Sequence, residues 1–485
     1  MNQEGDKPEQ ESQQTPLLVV ANRLPICRAD TSGGDSWKAS PGGLVSALTA
    51  TVKGRSCTWL GWTGDAAPAE PFTLEGVRYE PIELSSADVE GFYEGFSNRT
   101  LWPLYHDAIR VPEFDHDWWA AYATVNEKYA TRAAAIAERG AMVWVHDYQL
   151  QLVPGLLRRL RPDLRIGFFL HVSFPPQELF MQLPWRREIL EGILGADVVG
   201  FQVPLAARNF AVLANRLTGA RGRGAHLEYG RRAVRIGAFP ASIDVDRIQN
   251  IAERYETQLK AKEIREQLGS PTKVLLGVDR LDYTKGIEPR LTAYREMLSR
   301  GMITVPECVM VQIAVPTRDN VPTYMHEREK IERLIGELNG DFGQMGAPAV
   351  HYLRQSLDIE ELVALYCAAD VLLVTPYKDG MNLVAKEYVA SRILDSGAVV
   401  LSEFAGAAQS MLAAYLVNPH DGEGLKRSIL AAVSASPREE RHRMRALRRS
   451  VRGWTSAHWA DTFLGALEGG RRSERRCDVP ALAHA

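Results

Sequence analysis

One pattern recurs along the chain, and it leaves few folds open. A short run that is apolar throughout gives way to a polar or basic residue, and a stretch with helical spacing follows. Runs at 16–21, 58–62, 140–145, 165–170, 196–201 and 234–238 make one series, and runs at 273–278, 307–314, 350–353, 370–374 and 398–401 make a second. A strand that alternates apolar and polar residues has one wet face; a strand apolar throughout is covered on both, as in a parallel sheet flanked by helices. Strands alternating with helices, twice over, predict two doubly wound α/β domains. A charged helical stretch at 248–268, ending in Ser270-Pro271, separates the two series, and the boundary is expected near Ile243. Residues 16–243 then form a first domain and 244–453 a second, with an apolar helical pattern at 454–469 expected to return to the first. Residues 1–15 and 470–485 are polar or arginine-rich and read as disordered tails.

Composition narrows the partners. The chain has 485 residues, 45% hydrophobic and 24% charged, as in an ordinary soluble protein of two or three domains. A net charge of −3 gives no reason to expect nucleic acid or an anionic membrane as partner. The five cysteines, Cys27, Cys57, Cys308, Cys367 and Cys477, show no C-x-x-C spacing and read as reduced thiols, neither a disulfide frame nor a zinc site. No apolar run approaches the roughly 20 residues that span a bilayer. The first fifteen residues lack the apolar core of a signal sequence, so a cytoplasmic location is expected.

In an open α/β sheet, ligands bind beyond the carboxyl ends of the strands. The residues that follow the apolar runs are therefore the candidates for a site. Arg23 lies in Asn22-Arg23-Leu24-Pro25, Trp62 ends the run at 58–62, Asp147 lies in His146-Asp147-Tyr148, and His171 follows 165–170. Arg280 and Lys285 stand five residues apart after the run at 273–278, and Arg318 follows that at 307–314. Gly42 and Gly43, in Ser40-Pro41-Gly42-Gly43-Leu44, precede a helical stretch at 45–52 and make a candidate anion nest, though such a pair alone is more often a plain turn. The segment 92–105 is rich in aromatic residues. Such clusters usually belong to core or interface, but Tyr93 and Trp102 also suit a sugar face or the border of a phosphate pocket.

The stretch 375–388 is the most informative. It passes from an apolar strand through the turn Tyr377-Lys378-Asp379-Gly380 into a helical pattern near Asn382, which presents backbone N–H groups to an anion or to sugar hydroxyls. Glu387 lies about two turns into that helix, where it still faces the same cleft. The plain alternative is a helix-capping Asp379 and a solvated Glu387. Taken singly, Arg23, Arg280, Lys285 and Arg318 are surface charges. Together, at the cleft edges of two facing domains, they suit two phosphate sites, one for a departing nucleoside diphosphate and one for a phosphorylated acceptor. There is no G-x-x-x-x-G-K-[ST], no H-E-x-x-H and no D-x-D between strand signals, which favours arginine and lysine over a bound Mg²⁺ at the departing phosphate.

A-N-R-L-P, S-P-G-G-L, F-S-N-R-T-L-W-P-L-Y-H, W-V-H-D-Y-Q-L, G-F-F-L-H-V-S-F-P, V-D-R-L-D-Y-T-K-G and T-P-Y-K-D-G-M-N-L-V-A-K-E-Y together closely resemble the trehalose-6-phosphate synthases, from about Leu17 to Leu467. The resemblance implies a GT-B glycosyltransferase with two Rossmann-like domains facing a central cleft. It implies metal-independent transfer of glucose from UDP-glucose or GDP-glucose to glucose 6-phosphate, with retention. It implies no cofactor beyond the nucleotide-sugar substrate, and a homodimer or homotetramer. Carried over motif by motif, Arg23, Tyr93, Trp102 and Arg318 would bind the acceptor phosphate, Asp147 the acceptor sugar, and Trp62 would also belong to the acceptor site. Gly42, Gly43, His171, Asp379, Gly380, Met381 and Asn382 would hold the donor glucose. Arg280 and Lys285 would grip the diphosphate, with Leu383, Val384 and Glu387 at the phosphate and ribose end. The catalytic group of residues is then Asp147, His171, Arg280, Lys285 and Asp379. One local departure is His171-Val172-Ser173, where the family more usually reads H-I-P. The base of the donor stays open: uracil and guanine would both be read near 312–315 and 352–357, mostly by backbone. Two rival readings share the fold, a cyclitol-coupling pseudo-glycosyltransferase and a non-catalytic sugar-phosphate sensor. The first should have lost parts of the first-strand and donor-loop motifs, and the second Arg280, Lys285 or Asp379; all are present.

Overall fold

The continuously apolar runs are strands, and side-chain alternation divides each between two cores. In the strand Leu17–Arg23, Leu18 and Val20 join one buried cluster while Leu17 and Val19 join another on the opposite face. In Lys273–Arg280, Val274 and Leu276 go to one cluster and Leu275 to the other. A period of two with both faces buried is what helices on both sides of a sheet require. The structure, a computed structural model, describes residues 15–28, 37–39, 56–65, 67–318 and 321–469. Gly42, Gly43 and the stretch 45–52 lie outside the described residues.

The first sheet runs, edge to edge, Arg221–Arg223, His226–Tyr229, Arg232–Ala238, Val198–Phe201, Arg165–Phe169, Met142–His146, Leu17–Arg23, Cys57–Trp62, Val77–Pro81 and Phe72–Leu74. It is parallel from Arg232–Ala238 to Val77–Pro81, and antiparallel only at its margins. The second sheet, Val350–Leu353, Cys308–Val315, Lys273–Arg280, Val371–Val374, Ala398–Ser402 and Tyr415–Val417, is parallel throughout.

The charged stretch 248–268, expected as one helix, is two: Val245–Glu253 and Tyr255–Gln267. Arg254 breaks them by adopting an extended conformation, with ψ 139°. The break serves packing. The first helix buries Val245, Ile248, Ile251 and Ala252 in the second core, while the next turns away to lie along Ile359–Ala368. The aromatic segment forms a π-helix, Val89–Leu101, continued by Trp102–Tyr105. Gly91 and Gly95 let it lie flat on the helix His116–Ile136, since a Cβ at either would stand 2.6 Å from Ala121 or Trp118.

After Gly453 the chain returns to the first sheet. The helix Ser456–Leu467 lays Trp459 and Phe463 on Trp144, with ring centroids 5.1 and 4.7 Å away. Gly167 and Gly200 in the strands beneath make room, because a Cβ at either would fall 2.7 Å from the Phe463 ring. The linker between the sheets is tied on all sides. Ala241 donates its N–H to Gln202 Oε1 (2.8 Å) and accepts from Lys386 Nζ (2.8 Å), and Ser456 donates to Ile243 O (2.9 Å). Among the described residues no helix is long and apolar enough to cross a membrane.

Candidate functional site

Strand order reverses once within the parallel part of each sheet, and those reversals place the site. From Leu17–Arg23 the chain runs outward to Cys57–Trp62 and Val77–Pro81, then returns to Met142–His146 on the other side of the first strand. Helices diverge at such a point and open a crevice beyond the strand ends, where Arg23 and Asp147 stand. In the second sheet the reversal lies between Lys273–Arg280 and Val371–Val374, so the loops 280–286 and 375–382 leave side by side.

These two loops interlock. Asp282 accepts from Thr284 N (2.9 Å) and opens the tight turn Tyr283–Lys285. Gly286 follows in a left-handed conformation, φ 60°, and a Cβ there would stand 2.1 Å from Thr375 O. Lys285 Nζ thereby reaches Asp379 Oδ2 at 2.7 Å, and Asn382 Nδ2 reaches the same oxygen at 3.2 Å. The helix Leu383–Ser391 is capped by Asn382, whose Oδ1 accepts from Ala385 N at 3.1 Å, and not by Asp379. Asn382 takes φ 73° to do so, leaving Asp379 free to hold the lysine. Burial pushes the Asp379 carboxyl up, but Lys285 and Asn382 more than reverse that and hold it below the ordinary range. Gly380 touches the first domain: a Cβ on it would meet His171 O at 2.1 Å. Met381 is buried, Leu383 and Val384 form the partly exposed first turn, and Glu387 accepts from Tyr366 OH at 3.1 Å. Burial raises the Glu387 carboxyl. Beneath the loops Arg290 donates to Asp279 (2.7 Å), Gln312 (3.0 Å) and Thr375 (3.0 Å). Gln312 is therefore consumed in the core, and at 312–315 a base would meet backbone.

Across the cleft, cations lie over rings. The Arg23 guanidinium stands 4.7 Å from the Trp62 ring and 5.6 Å from Tyr93. Arg280 and Arg318 approach Trp102 at 5.3 and 3.9 Å. Burial pushes the Tyr93 phenol up, yet Arg318, Arg23 and Arg280 together draw it below its ordinary value. Arg318 has a left-handed backbone, φ 52°, and ties the two domains: it donates to Asp282 Oδ2 (3.1 Å) and Tyr148 OH (3.0 Å) and also bonds the Tyr324 hydroxyl. Its Nε is buried with no partner among the described residues.

At the floor, Asp147 takes φ 73° and accepts from His171 N at 3.1 Å. Burial pushes its carboxyl up to about 6, against those backbone bonds and the Arg280 charge. His171 is held neutral, pushed down to about 3 by burial. Further bridges cross the cleft, Lys378 to Asp107 (2.9 Å) and Arg110 to Glu327 (3.4 Å).

The structure thus brings together Arg23, Trp62, Tyr93, Trp102, Asp147, His171, Arg280, Lys285, Arg318, Asp379, Gly380 and Asn382 around one interdomain cleft. Asp282, Tyr148, Tyr324, Arg290 and the Asp107–Lys378 pair join them without being candidates from the sequence. Asp282 and Tyr148 stand inside motifs already singled out, and their signal was a polar side chain within a loop of strand-end residues.

The whole described region matches Glycosyltransferase family 20 over residues 15–469. A trehalose-6-phosphate synthase of Mycolicibacterium gilvum is 53% identical over 468 residues, covering 93% of each chain. A solved alpha,alpha-trehalose-phosphate synthase (UDP-forming) from Burkholderia xenovorans, in complex with glucose-6-phosphate, superposes with a TM-score of 0.86 at 31% identity over 93% of this chain and 100% of that one. A solved structure from E. coli bound with UDP-2-fluoro glucose superposes with a TM-score of 0.85 at 30% identity over 94% of this chain and 99% of that one.

Proposed function

The chain belongs to glycosyltransferase family 20 and has the two-domain GT-B fold, and we propose that it transfers glucose from a nucleotide sugar to glucose 6-phosphate, giving α,α-trehalose 6-phosphate and a nucleoside diphosphate. The observation that carries this reading is the pairing of two unlike walls across one cleft. Arg23 and Arg318, stacked on Trp62, Tyr93 and Trp102, suit a phosphate dianion. Lys285, Asp379 and Asn382, with Arg280 nearby, suit a sugar joined to a diphosphate. The relatives support the same pair of ligands, one bound with glucose-6-phosphate and one with UDP-2-fluoro glucose.

On this reading Asp147 accepts from an acceptor hydroxyl. Arg280 and Lys285 meet the negative charge that accumulates on the departing phosphate, with the N-terminus of the helix Leu383–Ser391 adding its dipole. Asp379, held ionised by Lys285 and Asn382, accepts from a hydroxyl of the donor sugar and is not a nucleophile. Retention then follows from attack on the face the phosphate leaves, with that phosphate taking the acceptor proton. A uridine donor is favoured, GDP-glucose being the competitor, and a cytoplasmic homo-oligomer belongs to the same proposal. The test is purified protein with glucose 6-phosphate and either UDP-glucose or GDP-glucose, the product identified by NMR. An α,α-linked phosphodisaccharide is expected; no transfer to glucose 6-phosphate from either donor would overturn the reading.

A further inference from the structure

Buried His146 and partly exposed His171 form a pair that the mechanism so far does not use. His146 ends the strand Met142–His146 and pairs in register with Phe169, so His171, two residues on, projects from the same face. The rings lie 5.3 Å apart at 26°, and His146 Nδ1 stands 3.0 Å from His171 Nε2. The backbone of His171 is fixed separately, its N–H on Asp147 Oδ1 and its carbonyl beside Gln202 Nε2 (3.4 Å). The imidazole itself packs beside the Phe169 and Trp459 rings, at 4.6 and 6.0 Å, and His146 makes its only hydrogen bond among the described residues.

Burial holds both rings neutral, and two neutral imidazoles share one hydrogen at this contact. If His171 Nε2 carries it, His146 must carry its own proton on Nε2, which is buried with no partner among the described residues. A sealed, orphaned N–H is rarer in folded proteins than a bare acceptor. The surroundings point the same way. Trp144 packs on His146 at 4.6 Å and on Trp459 at 5.1 Å, and the indole N–H groups of both tryptophans are themselves buried and unpartnered. A third donor there would deepen the shortage of acceptors, whereas a bare Nε2 adds nothing to it. We propose that His146 is a positioning residue: its Nδ1–H donates to His171 Nε2 and thereby fixes His171 as an Nδ1–H donor presented to the donor sugar. The partly exposed His171 ring has no partner for Nδ1 among the described residues, so that N–H is available to an oxygen of the ligand. The inference rests on the reading that places the nucleotide sugar in this cleft.

Long-range ¹⁵N–¹H correlation on the full chain with labelled histidine tests it without substrate. His171 and His146 are both expected to be protonated on Nδ1 and bare on Nε2; a His171 protonated on Nε2 overturns the proposal. His146→Asn keeps an N–H near the Nδ1 position, and its KM for the nucleotide sugar is expected to stay within about threefold of the parent, against a rise of about tenfold for His146→Leu, the loss of one neutral hydrogen bond. The Leu variant should also release His171 to the Nε2 tautomer while leaving the KM for glucose 6-phosphate unchanged. An unchanged donor KM in His146→Leu, or a tenfold rise in His146→Asn, overturns the proposal. If the Leu variant does not fold, the parent tautomer and the Asn variant still decide. If the parent transfers no glucose from either nucleotide sugar, the proposed function falls, and the tautomers alone judge the pair.

Discussion

The two walls of the cleft hold their cations in different ways. On the wall proposed for the acceptor, Arg23 lies over Trp62 and Tyr93, and Arg318 over Trp102. On the wall proposed for the donor, Lys285 lies 2.7 Å from Asp379. A ring attracts a cation through its quadrupole and leaves the charge uncancelled; a carboxylate cancels it. Arg23 therefore keeps its charge for an anion, while Arg318 shares its own with Asp282. On the second wall the Lys285–Asp379 pair is neutral until a ligand redistributes its bonds, and Arg280, over Trp102, carries the positive charge that remains. Arg318 belongs to both, stacked on Trp102 and paired with buried Asp282, which suits a residue that joins the domains.

The sharpest way to break this comparison is at the Lys285–Asp379 pair. Lys285→Ala removes the partner of Asp379 and one donor to the departing phosphate, and kcat should fall roughly a hundred- to a thousandfold, measured under saturating substrates. Arg280→Lys should not restore a lost Arg280, because an ammonium does not reproduce the guanidinium fork. Among the described residues no cluster of His, Cys, Asp or Glu has metal-holding geometry, and treatment with chelator should leave the rate unchanged. A parent silenced by chelator and revived by Mg²⁺ would move the transition-state charge away from Lys285 altogether.

Next in size is Arg318→Ala. If the aromatic-stacked wall selects a phosphorylated acceptor, kcat/KM for glucose 6-phosphate should drop about thirty- to a few hundredfold, while the feeble rate with glucose changes little. The variant also strips buried Asp282 of its nearest cation, so Tm should fall. Arg318→Lys should recover part of the stability and little of the activity, since lysine lacks the flat face that stacks on Trp102. Equal losses with both acceptors would mean that Arg318 braces the domains without reading the phosphate.

A smaller effect tests whether the walls must touch. Gly380→Ala places a Cβ where His171 O stands 2.1 Å away. It should hold the domains slightly apart and lower kcat roughly tenfold through misplacement of the reacting groups. Tm should change little, and scattering with both substrates bound should show a larger radius than the parent. Unchanged kcat would mean that the contact yields without consequence.

The strands were legible because both their faces are buried, as Leu17 to Ala21 show, and the site because polar residues that end such strands have one place to go. What stayed hidden depends on relations between distant segments. Nothing in the sequence at Asp107 announces Lys378, since their meeting depends on the angle between two domains. Arg254 breaks a helix without glycine or proline because its neighbours pack on different partners. In Asp379-Gly380-Met381-Asn382 either polar residue could cap the helix by composition; Asn382 takes the part because Lys285, from a loop 94 residues earlier, holds Asp379. The margins of the first sheet, such as Arg221–Arg223, are short and exposed and carry no apolar run to read.

The smallest effect concerns pH, and it contrasts a carboxylate on each side. Asp379 is held below its ordinary value and should stay ionised across the working range. Asp147 is pushed up by burial from 3.8 to about 6. In the unfolded chain that carboxyl loses its proton first, so between about pH 4 and 6 the folded state holds a proton the unfolded one has released. Stability then declines as pH rises through this window and stays lower above it. Asp147→Asn removes the burden, and its Tm should rise relative to the parent from pH 4 to pH 7. The gain is bounded by about 3 kcal/mol, the full shift, and is smaller in a side chain that meets the cleft water. Activity runs the opposite way. If the ionised carboxylate accepts from the acceptor hydroxyl, as proposed, kcat/KM for glucose 6-phosphate should climb as pH rises toward about 6. The acceptor phosphate itself titrates near pH 6, which makes the variant the control. In the parent the two ionisations together should give a limb steeper than one proton, and in Asp147→Asn the slope should fall to one. A parent limb of a single proton would assign the whole dependence to the substrate and leave Asp147 ionised before the window opens.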